Sequence, residues 1–356
     1  MHATLVMSPT CGMVLGDGAE VIKVEPIAGE NTRKLLGSGA GFFAMFDRNK
    51  KSVALDLQTP EGKEAALRLI AAAGVVSDNF KPGTMQKLGL DYVSLSKLND
   101  RFVYVSHKGF SPGPYDHRTA LDEVVQMMGR RAYMTGRPGD PLRAGASAND
   151  IMGGMFGAIG TMAALMQRAR IGKGQEVRSA LFENNVFPVA QHMMQFAITV
   201  TPAAPMPGRI SAWAVYDVFT VKDNEQIFLS VASDTQWDIF CDAFGFADLK
   251  TDARAASNNV RVEARICMMP ITRPQDLFDD PHLAATGGLA PMTLPGGKQT
   301  RTPVLPLTLD AKRPGVRLNP LKLGEHNEEI LLSLGCSREQ IQLMITAGVV
   351  SRETTL

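Results

Sequence analysis

Short apolar runs alternate with amphipathic stretches over the first third of the chain. The apolar runs have the length and composition of strands and lie at residues 20–25, 52–57, 75–80 and 102–106. Helical patterns fill the intervals. The clearest begins at Thr59-Pro60, a pair typical of a helix N-terminus, and ends at Gly74. The alternation predicts parallel βαβ units and therefore an α/β fold with helices packed on the sheet.

Beyond residue 121 the pattern predicts long helices. One spans residues 151–170, and a second spans residues 177–198 with a kink at Pro188. Small residues in the first helix predict the close approach of another element; they are Gly153, Gly154, Gly157, Ala158 and Gly160. After a proline-rich stretch at 201–208, the predicted elements are strands at 214–221 and 226–231 around a turn at 222–225, and helices at 235–244, 327–334 and 337–347.

These changes of pattern divide the chain into three parts. We expect a large α/β domain over residues 1–200, a smaller domain over residues 201–307, and a C-terminal return to the large domain over residues 308–356. The proline-rich stretch marks the first boundary because it interrupts both helical and strand patterns.

Ligands of parallel sheets bind at the carboxyl ends of the strands, so the loops at 26–33, 79–83 and 108–115 are the places where a site is expected. Arg33, Lys81 and Lys87 lie in or near these loops. A single such cation is more often part of a solvated surface. Together with the loop at 79–83, the three favour a nucleotide or CoA site. His107 follows a strand, and a lone histidine there is more often structural.

Charge and composition exclude several classes of protein. Lys plus Arg total 37 and Asp plus Glu total 36, so the chain has no overall field that would hold nucleic acid or an anionic membrane. No apolar stretch is long enough for a membrane span, and the N-terminus lacks the pattern of a signal peptide. The cysteines form no closely spaced pair. We therefore expect a cytoplasmic protein without a metal site or a permanently bound cofactor.

Asp150 precedes the first long helix, in Asn149-Asp150-Ile151 with Gly153-Gly154 just beyond. Two interpretations are open. An aspartate at this place can cap the helix, and the local pattern alone favours that role. Beside two glycines that would let a substrate approach, its carboxylate could instead act as a nucleophile. A carboxylate held by capping hydrogen bonds would be the poorer nucleophile.

An ordered set of motifs runs along the chain at residues 18–26, 31–33, 48–63, 79–83, 108–110, Asp150 with its glycines, 172–177, 279–282 and 323–326. These stretches resemble the family III CoA-transferases, a family that includes α-methylacyl-CoA racemase. They keep the order of the family and cover most of the chain. No single motif is decisive, but together they are specific.

The resemblance implies an interlocked homodimer whose subunits each have a Rossmann-like large domain and a smaller α+β domain. Asp150 matches the aspartate that forms a covalent intermediate while CoA moves between an acyl-CoA and a carboxylic acid. The positions that match CoA contacts are Arg33, Leu55, Asn79, Phe80 and Lys87. Lys87 stands where formyl-CoA transferase has arginine. It keeps the charge but lacks the planar fork. Acyl-CoA and CoA are thus expected as substrates.

Two alternatives stay open. An acyl-CoA racemase needs a second proton carrier, but the position of the family's histidine is Leu121, which disfavours racemisation. The other alternative is a CoA-binding family member without activity. Two departures from the family suggest this alternative. Little of the family's first strand is expected ahead of Ser8, and the family has additional helices where this chain runs from Arg265 to Ile271.

Overall fold

Parallel strands organise the first half of the molecule. The computed structural model describes residues 5–118, 120–208, 213, 215–220, 225–252, 269–270, 274–309 and 312–354. Strand β1 (Ile22–Glu25) pairs in parallel with β2 (Lys51–Ala54). Strands β3 (Val75–Asp78), β4 (Val103–Lys108) and β5 (Glu176–Ala180) form a second parallel sheet in the order β3-β4-β5. The predicted α/β fold with parallel strands is confirmed.

Helices connect and cover these strands. They are α1 (Met7–Leu15), α2 (Phe42–Phe46), α3 (Pro60–Ala72), α4 (Thr84–Leu88) and α5 (Tyr92–Ser96). Helix α3 begins as predicted, since the Thr59 hydroxyl accepts a hydrogen bond from the Gly62 amide at 3.1 Å. Helices α1 and α2 were not predicted, because neither has a polar face that would give a clear helical period.

Helix α8 (Ala148–Ile171) spans 24 residues and follows the short helices α6 (Asp122–Met128) and α7 (Arg131–Thr135). Its glycines do permit close approach. A Cβ atom on Gly154 would lie 2.4 Å from the Met7 carbonyl oxygen, and one on Gly157 would lie 2.3 Å from Cε1 of the His107 ring. Helix α1 and strand β4 therefore pack directly on the backbone of α8.

The predicted helix over residues 177–198 is wrong at its start. Residues 177–180 belong to β5, and helix α9 (Leu181–Thr199) follows without a loop and contains Pro188. Along β5, Val177 and Ser179 lie two residues apart and both face α8: Val177 packs toward it, and the Ser179 hydroxyl donates to the Gly153 carbonyl at 2.8 Å. A strand that passes directly into a helix carries no turn residue to separate the two patterns.

Antiparallel pairing dominates the next part of the chain. Strands β6 (Val215–Thr220), β7 (Gln226–Val231) and β8 (Met269–Pro270) form one sheet, and β9 (Leu289–Thr293) pairs with β10 (Gln299–Pro303). Helices α10 (Asp234–Phe244) and α11 (Pro281–Ala285) accompany them. The predicted turn at 222–225, apart from its last residue, and most of the stretch from Arg265 to Ile271 lie outside the described residues.

The C-terminal helices α12 (Asn327–Ser333) and α13 (Arg338–Thr346) pack against β1 and β2. Their shared core contains Val24, Val53, Leu55, Leu331 and Val350. Asn327 joins the two parts: its side-chain oxygen accepts from the Ala54 amide at 2.8 Å, and its Nδ2 donates to the Ser351 carbonyl at 2.7 Å. The C-terminal helices thus cover the strands that precede Arg33 and Leu55, the first predicted CoA contacts.

Four charged side chains are buried beside β1 and β2. Lys23 lies 2.9 Å from both Glu30 and Asp47, and Lys50 lies 2.6 Å from Asp47. Each of the four is at most 1% exposed. Lys50 also donates to the carbonyl of Pro9, which fixes the start of α1. The two positive and two negative charges balance within the core.

Candidate active site

Asp150 is the third residue of α8 and is partly buried. Ser147 occupies the N-cap position and makes no side-chain capping bond. Among the residues that the structure describes, none donates a hydrogen bond to the Asp150 carboxylate. The interpretation of Asp150 as the cap of its own helix is therefore wrong.

Asp122, in the first turn of α6, supplies the cap instead. Its Oδ2 accepts the amides of Asn149 at 2.7 Å and Asp150 at 3.0 Å. Its other carboxylate oxygen accepts from Nε2 of Gln126, and the Oε1 of Gln126 accepts the Ala144 amide at 2.7 Å. The N-terminus of α8 is thus satisfied by a carboxylate from a neighbouring helix.

The surroundings raise the pKa of Asp150 to about 7. Burial is the largest cause, because it penalises the charged form, and the negative charges of Asp122 and Glu123 add to it. A carboxylate with this pKa is ionised in a substantial fraction of molecules at neutral pH. Perturbed carboxylates of this kind are concentrated at functional sites.

Asn149 places a second unusual group beside Asp150. Its side chain is fully buried, and its Oδ1 accepts from Nη1 of Arg131 at 3.2 Å. Its Nδ2 has no hydrogen-bond partner among the described residues. A buried donor without an acceptor costs free energy.

Arg33 and Leu55, two of the predicted CoA contacts, meet at Glu25. The Arg33 guanidinium binds both Glu25 carboxylate oxygens at 2.8 and 2.7 Å, donates to the Leu321 carbonyl, and lies 3.9 Å above the Phe43 ring centre. Its side chain is only 3% exposed. The Leu55 amide donates to the Glu25 carbonyl at 3.0 Å, and its side chain lies in the core. Both residues therefore already hold the strand ends in place.

Asn79, Phe80 and Lys87 lie beyond the carboxyl end of β3. Asn79 and Phe80 are partly buried, whereas Lys87 is exposed at the end of α4. The Phe80 carbonyl accepts from Nζ of Lys108 at 2.9 Å, and the same ammonium lies 2.7 Å from Asp78. The structure therefore adds Lys108 to this loop. In the sequence it was visible only as part of a motif.

The six predicted site residues fall into three groups. Arg33 and Leu55 share Glu25, Asn79 and Phe80 share a loop near Lys87, and Asp150 stands on α8. No hydrogen bond or ion pair joins Asp150 to the other five. The sequence did not identify Asp122 or Gln126, since acidic residues at a helix start are ordinary and carry no signal of a distant partner.

A cavity of about 300 Å³ lies against the β3-β4-β5 sheet. Charged side chains and a tyrosine contribute to its lining, among them Asp78, Tyr104, Lys108, Arg118, Glu176 and Arg178. None of the six predicted residues lines it. On β4, the lining residues Tyr104 and Ser106 alternate with Val103 and Val105, whose side chains point away from the cavity toward α1 and α8. Because strand side chains alternate, most of this lining lies on the sheet face opposite Asp150.

Two further absences concern the described part of the chain. None of its helices combines the length and apolar character that a membrane crossing needs. Within the same residues, no three His, Cys, Asp or Glu side chains are grouped so that they could hold a metal ion.

Comparison of the sequence with known proteins gives matches along the chain. A family model described as CoA-transferase family III matches residues 2–265. The succinate–glutarate CoA-transferase of Agrobacterium fabrum is 30% identical, and the match covers 93% of this chain and 93% of the relative. A formyl-CoA:oxalate CoA-transferase of Rhodopseudomonas palustris is also 30% identical, with 96% of this chain and 93% of the relative covered.

Solved structures match over the same extent. A CaiB/BaiF family protein from Brucella suis has a TM-score of 0.79 at 30% identity, covering 94% of this chain and 97% of that one. A Mycobacterium tuberculosis protein has a TM-score of 0.79 at 27% identity, covering 92% and 96% of the two chains. Both the parallel and the antiparallel parts of the fold are therefore shared with known structures.

Proposed function

The chain belongs to CoA-transferase family III, and on that basis we propose that it moves CoA from an acyl-CoA to a carboxylic acid through a covalent intermediate on Asp150. The observation that carries the proposal is the state of this carboxylate. It is partly buried, it accepts no hydrogen bond from a described residue, and its pKa lies at about 7. Such a group is free to attack and is ionised often enough to do so.

The first half of the reaction loads CoA onto the enzyme. An ionised Asp150 oxygen attacks the thioester carbonyl, the carbon–sulfur bond breaks, and CoA leaves as its thiolate. The product on the enzyme is a mixed anhydride. The thiolate then attacks the Asp150 carbonyl and expels the donor acid as its carboxylate, which leaves an aspartyl-CoA thioester.

The second half repeats these steps in reverse order. The acceptor carboxylate attacks the aspartyl thioester and releases CoA thiolate. The thiolate then attacks the acceptor's carbonyl in the new anhydride, which frees the acceptor as its CoA thioester and returns Asp150 as a carboxylate. No net proton is consumed. A racemase would need a second proton carrier, and Leu121 cannot serve as one.

CoA itself is proposed to contact Arg33, Leu55, Asn79, Phe80 and Lys87. The exposed ammonium of Lys87 can meet a phosphate as a point charge. Arg33 has already committed three of its five N–H donors to Glu25 and Leu321, so only the remaining two are available to a ligand. CoA is thus proposed to bind as a substrate and not as a permanently bound cofactor.

A homodimer is proposed from the exposed face of α8. Met155, Ile159, Met162 and Met166 recur at intervals of four, three and four residues, and they are 46%, 53%, 47% and 72% exposed. Such a stripe lies on one side of a helix, and an exposed apolar surface of this kind marks an interaction site.

The same family relation suggests the wider architecture. We propose a Rossmann-like large domain over residues 1–200, a small α+β domain over 201–307 and a C-terminal return over 308–356, in a cytoplasmic enzyme. The packing of α12 and α13 on β1 and β2 supports the C-terminal return.

Transfer and adduct formation test the proposed function together. The purified protein is incubated with acyl-CoA donors, formyl-CoA among them, and a panel of acids that includes the succinate, glutarate and oxalate in the names of the relatives. New acyl-CoA is followed by chromatography. Hydroxylamine is added to a parallel sample to convert an aspartyl thioester into a stable hydroxamate, which peptide mass spectrometry then locates.

We expect the modification on Asp150 and a loss of at least about 10³-fold in kcat for Asp150→Asn. Glu123→Gln is the control, because it removes a nearby charge and leaves the nucleophile. Turnover by Asp150→Asn at the wild-type rate, or a wild-type enzyme that turns over with its adduct on another residue, would refute the proposed role of Asp150.

A further inference from the structure

The first turn of α8 leaves no amide for Asp150 to cap. The Ala148 amide donates to the Ala146 carbonyl at 2.8 Å, and the Ile151 amide donates to the Ser147 carbonyl at 3.0 Å. The two amides between them, of Asn149 and Asp150, both donate to Asp122. The amides of residues 148–151 are therefore all occupied by groups other than the Asp150 carboxylate.

We propose that Asp122 is a positioning residue for the transferase reaction: it takes the free amides of α8 and thereby keeps the Asp150 carboxylate out of capping hydrogen bonds and available for attack. The proposal rests on the proposed role of Asp150. It gives Asp122 a function without placing it in contact with the reacting atoms.

The physical need for such a residue follows from the position of Asp150. An acidic side chain in the first turn of a helix normally folds back onto the free amides there. Hydrogen bonds to a carboxylate stabilise its charged form, lower its pKa and weaken it as a nucleophile. Without Asp122, the amides of Asn149 and Asp150 would be open to the Asp150 carboxylate.

Gln126 fixes the orientation of Asp122. It is fully buried, and its Oε1 must accept the Ala144 amide, so its Nε2 faces the Asp122 carboxylate. Asp122 consequently receives three donors: the Gln126 amide and the two backbone amides of α8. A carboxylate with only donors around it is held as an acceptor.

The other elements around α8 carry further titratable or charged groups. They are Arg131 on α7, His107 and Lys108 on β4, Glu176 and Arg178 on β5, and Glu183 and His192 on α9. Helix α1 carries no acidic or basic residue. The charges that raise the pKa of Asp150 are those of Asp122 and Glu123, both on α6.

Three variants at Asp122 and one at Glu123 separate hydrogen bonding from charge. Asp122→Ala opens the two amides, and Asp122→Asn alone turns an amide donor toward the donor of Gln126. Asp122→Asn combined with Gln126→Glu exchanges amide and carboxylate, so that every hydrogen bond can reform with the charge moved away from Asp150. Glu123→Gln removes an exposed charge that pairs with Arg143 at 3.2 Å and caps nothing in α8.

We measure kcat and KM against pH, and the rate of Asp150 adduct formation. For Asp122→Ala we expect kcat to fall by ~10²-fold with little change in KM for the acyl-CoA. We also expect the acidic limb of the pH–rate profile, where kcat falls as Asp150 becomes protonated, to move to lower pH. The double variant is expected to recover kcat to within a few fold, with its acidic limb also at lower pH. Glu123→Gln is expected to move the acidic limb and keep the high-pH plateau.

Two results would overturn the inference. One is an Asp122→Ala enzyme that forms the adduct at the wild-type rate and keeps its pH profile. The other is a folded double variant whose kcat stays ~10²-fold below that of the wild type, and this outcome decides the matter even if Asp122→Ala does not fold. Failure of the proposed function is separate: then the wild-type enzyme itself shows no adduct on Asp150.

Discussion

Asp150 has opposite effects on activity and on stability at the scale of the single residue. Its pKa is 3.8 in the reference state and about 7 in the fold, so the folded protein binds a proton that the unfolded chain has released. Binding of this proton stabilises the fold fully below pH 3.8, and the stabilisation is lost as the pH rises through about 7. A nucleophile that works ionised therefore destabilises the fold under working conditions.

Replacing Asp150 with asparagine should reverse that loss. We expect Asp150→Asn to unfold at a higher temperature than the wild type, with a gap that widens between pH 5 and pH 8, since the variant has no charge to desolvate. Thermal unfolding at a series of pH values measures it. A gap that stays constant over this range would show that Asp150 titrates as it does in the unfolded chain.

His107 behaves in the opposite sense. It is buried, neither ring nitrogen has a partner among the described residues, and burial followed by the charge of Lys108 lowers its pKa to about 3. Below pH 6.5 the unfolded chain takes up a proton that the folded one refuses, so stability falls by up to about 1.4 kcal/mol per pH unit down to about pH 3.

The variant His107→Leu should remove this dependence. We expect a flatter stability profile between pH 6 and pH 4, and a free energy of unfolding at pH 7 that is unchanged or higher, because two orphaned polar atoms are lost. Urea unfolding at each pH measures both quantities. A steeper acid dependence in the variant than in the wild type would contradict the assignment.

The sequence could place Asp150 at the start of a helix but not determine the state of its carboxylate. Asp122, which accepts the helix amides in place of Asp150, lies 28 residues earlier and reaches the helix only through the fold. Local pattern therefore favoured a cap, whereas the tertiary structure gives that role to another residue. Arg33 is a similar case: its position after β1 was predicted, but its hydrogen bonds to Glu25 were not.

At the scale of the element, the junction of α1 with α8 depends on glycine. A side chain on Gly154 would meet the backbone oxygen of Met7, which cannot move as a flexible side chain could. We expect Gly154→Ala to lower the free energy of unfolding by about 1–3 kcal/mol through overpacking, although alanine is the better helix former.

Gly18→Ala is the matched control, because nothing lies within 4 Å of its Cβ position. Its effect should stay within about 0.5 kcal/mol. Denaturant unfolding compares the two variants. Equal effects at both positions would mean that α1 and α8 do not pack as closely as the structure shows.

Elements with clear boundaries were the predictable ones. Helix α3 has the signals of Thr59 and Pro60, and strand β7 has a clear apolar run, so both lie close to where they were expected. Strand β5 was missed because it passes directly into α9. Its identity comes from pairing with β4, with Val105 opposite Val177, and this is a non-local fact.

At the scale of the whole molecule, the apolar stripe on α8 predicts association. We expect a homodimer that Met162→Lys weakens by at least about tenfold, because a buried ammonium without a partner is costly. Sedimentation or light scattering over a range of concentrations measures the dimer. Leu98→Lys is the control, since it changes an exposed leucine on the loop after α5. A monomeric wild type at high concentration would refute the dimer.

The four buried charges of Lys23, Glu30, Asp47 and Lys50 bear on how this sequence can diverge. Loss of one leaves another without a counter-charge in the core, at a cost of about 3–5 kcal/mol, whereas replacement of a whole set by apolar residues can be nearly neutral. Single substitutions in the set are therefore expected to lower the free energy of unfolding strongly, whereas simultaneous replacement of its members is expected to change it little. We expect descendants of this chain to keep all four residues or to exchange them together, so that the positions are inherited as one unit.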